Sequence, residues 1–172
     1  MSLRPILIHP DPRLRRTAEP VTVHDDGLRA MIEDMFETMY NAPGIGLAAT
    51  QLGVMKQVFV MDCGGKDDPP APMALINPQV IETSDEMVLS EEGCLSIPDV
   101  YENVSRPDRV RLAWTDLDGM RREREFADRW AICAQHEIDH LRGRLFIDYL
   151  GAVKRTLITA RMKKLKREKA RV

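Results

Sequence analysis

Residues 131 to 146 read A-I-C-A-Q-H-E-I-D-H-L-R-G-R-L-F, and the two histidines four positions apart make the strictest demand on the fold. Positions i and i+4 share one helix face about 6 Å apart. His136 and His140 therefore aim at one point only if this stretch is helical. Glu137 then falls about 100° around the helix, close to that point. Asp128 is positioned to cap such a helix and Gly143 to end it. The pattern fits a hydrolytic metal site, and it also fits two surface histidines on a charged helix.

A catalytic metal site normally takes three protein ligands and leaves a position for water, and this stretch supplies two. One downstream pattern places a third histidine at 146, where this chain has Phe146. Another uses a distant glutamate, but the one that follows is Glu168, among lysines near the chain end. His9 and His24 sit beside Pro or Asp in loop-like sequence. Cys94, in S-E-E-G-C-L-S-I-P (90 to 98), is the better candidate, because the glycine before it lets a short strand turn its thiolate inward. A Cys, His, His set with an open position suits zinc or ferrous iron.

Elsewhere Leu28, Met31, Ile32, Met35, Phe36, Met39 and Tyr40 recur at helical spacing, predicting an amphipathic helix over 26–41 ended by Asn41, Pro43 and Gly44. Strands are expected at 57–62, 73–82 and 86–90. R-V-R-L-A-W-T-D (109 to 116) and R-R-E-R-E-F are joined by D-L-D-G-M into a hairpin. A last helix begins near Gly151, with Leu150, Val153, Leu157, Ala160, Met162 and Leu165 as its apolar positions. The expectation is an α+β domain over 1–172. Its antiparallel sheets would pack around the histidine-bearing helix, with one helix before it and a basic one at about 151–172.

G-I-G-L-A-A-T-Q (44 to 51), E-G-C-L-S (92 to 96) and Q-H-E-I-D-H-L (135 to 141), in this order and spacing, resemble the three motifs of the peptide deformylases. The resemblance extends over essentially the whole chain, including I-L-I-H-P-D-P-R-L-R near the start. It implies an α+β hydrolase that removes the N-formyl group from the initiator methionine of new polypeptides, releasing formate. It further implies that Cys94, His136 and His140 hold the ion and that Glu137 is the general base and later the acid. The Gln51 side chain and the Leu95 backbone N–H would stabilise the oxyanion. Fe²⁺ is the ion characteristic of the family, with Ni²⁺, Co²⁺ or Zn²⁺ able to substitute.

A methionine side chain needs an apolar pocket. Ile132 and Cys133, one helical turn before His136, can line it, and Ile45 can close it. Gly46 is suited to strand-like pairing with the substrate backbone. Each also reads as ordinary core. Glu92 and Arg106 could brace the Cys94 segment, or be plain solvated charges. Tyr101 stands where some family members carry arginine, which bears on the outer rim of the groove.

Three unpaired cysteines argue for a reducing compartment, and no run reaches the roughly 18 apolar residues of a membrane span. With a formal net charge of -2, nothing global draws the chain to nucleic acid or membrane, and cytoplasmic is the expected location. Lys154 to Val172 nevertheless holds nine Lys or Arg and one acid. That tail reads either as a solvated helix end or as a contact with ribosomal RNA through counterion release. Two rivals stand beside the deformylase reading. One is a metalloprotease, which lacks its further ligand here; the other is a structural zinc module, which would leave Glu137 without use.

Overall fold

The computed structural model describes residues 1–172. Its elements in chain order are α1 (Asp26–Asn41), β1 (Gly46–Ala48), β2 (Val58–Met61), β3 (Met73–Thr83), β4 (Met87–Cys94), β5 (Ile97–Pro107), β6 (Arg109–Thr115), β7 (Arg121–Ala127), α2 (Asp128–Leu141) and α3 (Ala152–Lys169). One antiparallel sheet runs β1-β2-β3-β6-β7, and β4 and β5 form a separate hairpin. No helix is long and apolar enough to cross a membrane.

The first helix forms at its expected bounds, with the Asp25 carboxylate accepting the Leu28 N–H at 2.9 Å. Its apolar stripe, Leu28, Ile32, Met35 and Met39, packs on Leu47, Val58, Val60 and Ile76. The opposite face of the sheet presents Ala48, Phe59, Met61, Leu75 and Leu112 to Ala131, Cys133, Ala134, Ile138 and Leu141 of α2. All four residues of β2 are therefore buried, since side chains alternate between two covered faces.

β5 has no counterpart among the expected strands. Its inward positions Val100, Glu102, Val104 and Arg106 keep the period of two, but two of the four are charged and disguise it. The register runs from Met87↔Pro107 to Gly93↔Tyr101, then slips between Gly93 and Cys94 before closing with Cys94 opposite Ile97. The slip is a bulge, which re-aims the side chain beside it.

α2 starts differently from expectation. Ala127 holds the N-cap position without a side-chain cap bond, and Asp128 lies within the first turn at φ 54. Its carboxylate there still complements the helix dipole. Gly143 ends the helix as expected, at φ 75, and a Cβ there would overlap the Arg15 backbone.

In α3 the docked face consists of Ile158 and Met162, with Leu165 beside them, whereas Val153 and Leu157 are exposed. Two anchors select that face. Lys154 Nζ donates to Glu102 at 2.8 Å, and the buried His9 ring lies 2.8 Å (Nε2) from Thr159 Oγ1. Burial and the nearby Arg15 lower the His9 pKa from 6.5 to about 4, against the opposing pull of Asp148. The unfolded histidine titrates near 6.5, so it binds the proton before the folded one does. Stability is complete above that pH and should fall by roughly 2 kcal/mol as pH drops toward 4. Urea titrations at pH 7 and pH 4.5 check this: a His9→Gln variant should lose that part of the pH dependence.

Candidate active site

The bulged end of β4 and one face of α2 meet where the sequence pattern required them to. Cys94 Sγ lies 3.3 Å from His140 Nε2, and the ligand atoms of Cys94, His136 and His140 are all within 4.8 Å of one another. Ligand bonds of about 2.0–2.3 Å around one ion produce separations of this size. Both histidines are buried, so the cluster has the two imidazoles and one thiol of a three-ligand site, sheltered from bulk water.

The orientation of His136 is set by charges beneath it. Its Nδ1 lies 2.9 Å from Glu92 Oε1, which turns Nε2 toward the cluster. Arg106 donates to Glu92 through Nε (2.6 Å) and Nη2 (2.9 Å), and to Asp139 through Nη1 at 2.9 Å. Tyr149 donates its hydroxyl to Asp139 at 2.8 Å and offers its ring to the guanidinium, 4.8 Å from the centroid. Burial would raise the Glu92 pKa, but hydrogen bonds from His136 and Arg106 hold it below the usual range, so it stays a carboxylate. Burial, with the charges of His136 and Arg106, depresses the pKa of His140, which favours the neutral imidazole a metal needs.

Gln51 is almost fully buried. Its Oε1 accepts the Ala48 N–H at 2.9 Å, and Nε2 donates to Ser96 Oγ at 3.1 Å and to Cys94 Sγ at 3.6 Å. Fixed at its far end, the amide holds its N–H group against the metal group. Glu137 is 3% exposed, its Oε2 has no hydrogen-bond partner in the protein, and burial pushes its pKa up to about 7. A cavity of about 1020 Å³ opens over these groups and is lined by Ile45, Gly46, Gln51, Leu95, Ile132, Cys133 and Glu137, among others. Cys94 and His136 reach the same cavity, while His140 lies behind them. The cluster thus faces a groove wide enough for an extended peptide.

Gly46 is where backbone and carboxylate come closest. A Cβ there would lie 2.6 Å from Glu137 Oε1 and 2.7 Å from Cys133 Sγ. Both neighbours are held by packing, so Gly46→Ala should cost about 1–3 kcal/mol, read from thermal or urea denaturation. A change within a few tenths of a kcal/mol would mean that the two side chains yield freely.

The polypeptide deformylase family model matches residues 3–156. The chain belongs to this family. It is 50% identical to the peptide deformylase of Stutzerimonas stutzeri over 170 residues, 99% of this chain and all of that one. The crystal structure of the Ehrlichia chaffeensis peptide deformylase in complex with actinonin matches at TM-score 0.93 and 37% identity, over 97% of this chain and 99% of that one. The Met-Ala-Ser-bound class I type b enzyme of Acinetobacter baumannii matches at TM-score 0.83 and 32% identity, over 87% of this chain and 99% of that one. Deformylases are metal-dependent hydrolases that remove N-formyl groups from nascent peptides, and the Cys/His/His cluster is a group able to hold such a metal.

Within this deformylase fold, residues from all three motifs line a single groove, with His140 behind it. Ser96, Asp139 and Tyr149 went unassigned in the sequence. The first two stand inside motifs, and that placement was the available signal. Tyr149 closes a short 3-10 turn, Phe146–Tyr149, and carries no signal of its own.

Proposed function

We propose that this chain removes the N-formyl group from formylmethionyl peptides through Glu137, Gln51 and Leu95, with the metal held by Cys94, His136 and His140. The observation that carries the proposal is the buried Glu137 carboxylate, its Oε2 without a hydrogen-bond partner, beside three converging ligand atoms at a peptide-sized groove. When bound, a divalent ion supplies Lewis acidity and lowers the pKa of a coordinated water toward roughly 7.

Glu137 takes the proton of the attacking water and returns it to the departing amine. Its carboxyl suits both tasks because burial moves its pKa toward neutrality. Gln51 Nε2 and the Leu95 backbone N–H hold the negative oxygen that develops on the formyl carbon, and losing one such donor commonly costs about 2.7–4 kcal/mol. The Gly46 backbone pairs with the extended peptide. Ile45, Ile132 and Cys133 receive the methionine side chain, and the Met-Ala-Ser peptide on the Acinetobacter relative supports an amino-terminal methionine in such a groove.

The thiolate of Cys94 and two imidazoles accept Fe²⁺, Ni²⁺, Co²⁺ or Zn²⁺ alike, and Fe²⁺ is the ion proposed as the one characteristic of the family. The exposed basic side of α3 supports contact with ribosomal RNA, which would weaken as salt rises. The reaction would then take place in the cytoplasm, where chains emerge.

The test is formate release from a formyl-Met peptide by protein prepared anaerobically with Fe²⁺ or Ni²⁺. A chelator should abolish release, and either ion should restore it. A correctly metallated protein that releases no formate would refute the proposal.

A further inference from the structure

Two of the three cysteines, Cys63 and Cys133, take no part in the metal cluster. Cys133 leaves α2 one turn before His136, and Cys63 follows the end of β2. Both thiols donate to the carbonyl of Ile45, Cys133 at 3.7 Å and Cys63 at 3.8 Å, which gathers the two sulfurs around one oxygen. Cys133 also lines the catalytic cavity, whereas Cys63 lies behind it and does not. The result is a buried dithiol with one sulfur reachable from the groove and one in reserve.

We infer that Cys63 and Cys133 form a reversible disulfide when a peroxide enters the groove, and that this bond slows turnover. The neighbouring Cys63 and burial push the Cys133 pKa up, so the reaction is slow. Its thiolate fraction attacks one peroxide oxygen, the O–O bond breaks, and a sulfenic acid and hydroxide result, the hydroxide taking up the thiol's proton as water. The Cys63 sulfur then attacks that sulfenic sulfur, an S–S bond forms, and the second water leaves with the Cys63 proton. Two thiols lose two electrons and two protons, and the peroxide is reduced to two waters. The asymmetry of access gives each cysteine its part: Cys133 meets the oxidant and Cys63 resolves it before a second oxidation.

The bond needs an S–S separation near 2.05 Å, far shorter than non-bonded contact, so both sulfurs must draw together and release the Ile45 carbonyl. Ile45 precedes Gly46, whose Cβ position lies 2.6 Å from Glu137 Oε1 and 2.7 Å from Cys133 Sγ. Contraction of the pair therefore shifts the edge of the groove against the base. A displacement near 1 Å can cost up to about a hundredfold in rate, and a partial shift should cost about tenfold. The loss of rate rests on the proposed roles of Glu137 and Gly46, whereas formation of the bond does not.

Ni²⁺-loaded protein is treated with hydrogen peroxide, denatured, alkylated and mapped by mass spectrometry. The expected product has lost two hydrogen atoms, carries a Cys63–Cys133 linked peptide, and shows one alkylatable thiol where the untreated chain has three. Formate release falls about tenfold in the same sample and returns with dithiothreitol. Cys63→Ala should form no such bond and lack the dithiothreitol-reversible loss. If that variant misfolds, the map of the unaltered chain decides alone. Three thiols persisting after the peroxide is consumed, Cys133 accumulating as sulfinic acid, or a link to Cys94 would overturn the site. A bond that forms with full activity retained would overturn its effect on turnover. Untreated protein that releases no formate would instead count against the deformylase reading.

Discussion

Glu137→Gln should release formate about 10²–10⁴-fold more slowly than the parent while still holding its metal. Glutamine keeps the shape of the side chain but has no basic oxygen, and it leaves Cys94, His136 and His140 in place. The parent should also show an acidic limb in kcat/KM, since the base acts only when ionised. Burial pushes the carboxyl up to about 7. A nearby bound cation favours the ionised form and draws the pKa down, so activity should rise through a midpoint below 7. The variant should lack that limb. Equal loss of metal and activity, measured by elemental analysis alongside the assay, would make Glu137 a structural residue instead.

Arg106→Ala should be the most damaging change to stability. It strips two buried carboxylates, Glu92 and Asp139, of their cation and takes the support from beneath His136. Removing one member of a buried charge network typically costs about 3–5 kcal/mol, because the remaining charges stay buried without compensation. At roughly 2–4 °C per kcal/mol for a chain of this size, the melting temperature should fall by about 10 °C. Metal affinity should drop about 10–100-fold as His136 loses its orienting carboxylate geometry. A loss below about 1 kcal/mol, the range of exposed pairs, would show that water reaches the network and replaces the guanidinium.

The two predictions also mark how differently these residues read in the sequence. Glu137 was legible because its chemistry is local: a helix period places it beside two histidines whatever the rest of the chain does. Arg106 was legible only as one of two alternatives, a brace with Glu92 or a solvated charge. The structure makes the brace and adds Asp139. Its partners come from β4 and α2, and a charged residue in a strand is ordinarily solvent-facing. β5 itself went unseen for the same reason, its inward Glu102 and Arg106 being matched by Lys154 and by Glu92 with Asp139. Periodicity registers burial of apolar groups; it has no sign for a charge whose partner is distant.

Gln51 shows the same limit at the site. The resemblance assigned it a role, yet nothing local distinguishes a buried amide from a surface one until Ala48, Ser96 and Cys94 surround it. In α3, composition announced a basic helix, but the docked face passed to Ile158 and Met162 because the Lys154–Glu102 and His9–Thr159 contacts fix its rotation. The sequence by itself determined the helices, most strands, the family resemblance and the chemical nature of the ligands, since each depends on spacing within a few residues or on intact motifs. The tertiary structure alone decided which charges are buried, which way His136 faces, and that two distant thiols share one carbonyl. Those outcomes depend on contacts between elements far apart in the chain, where burial makes an ion pair or a hydrogen bond obligatory.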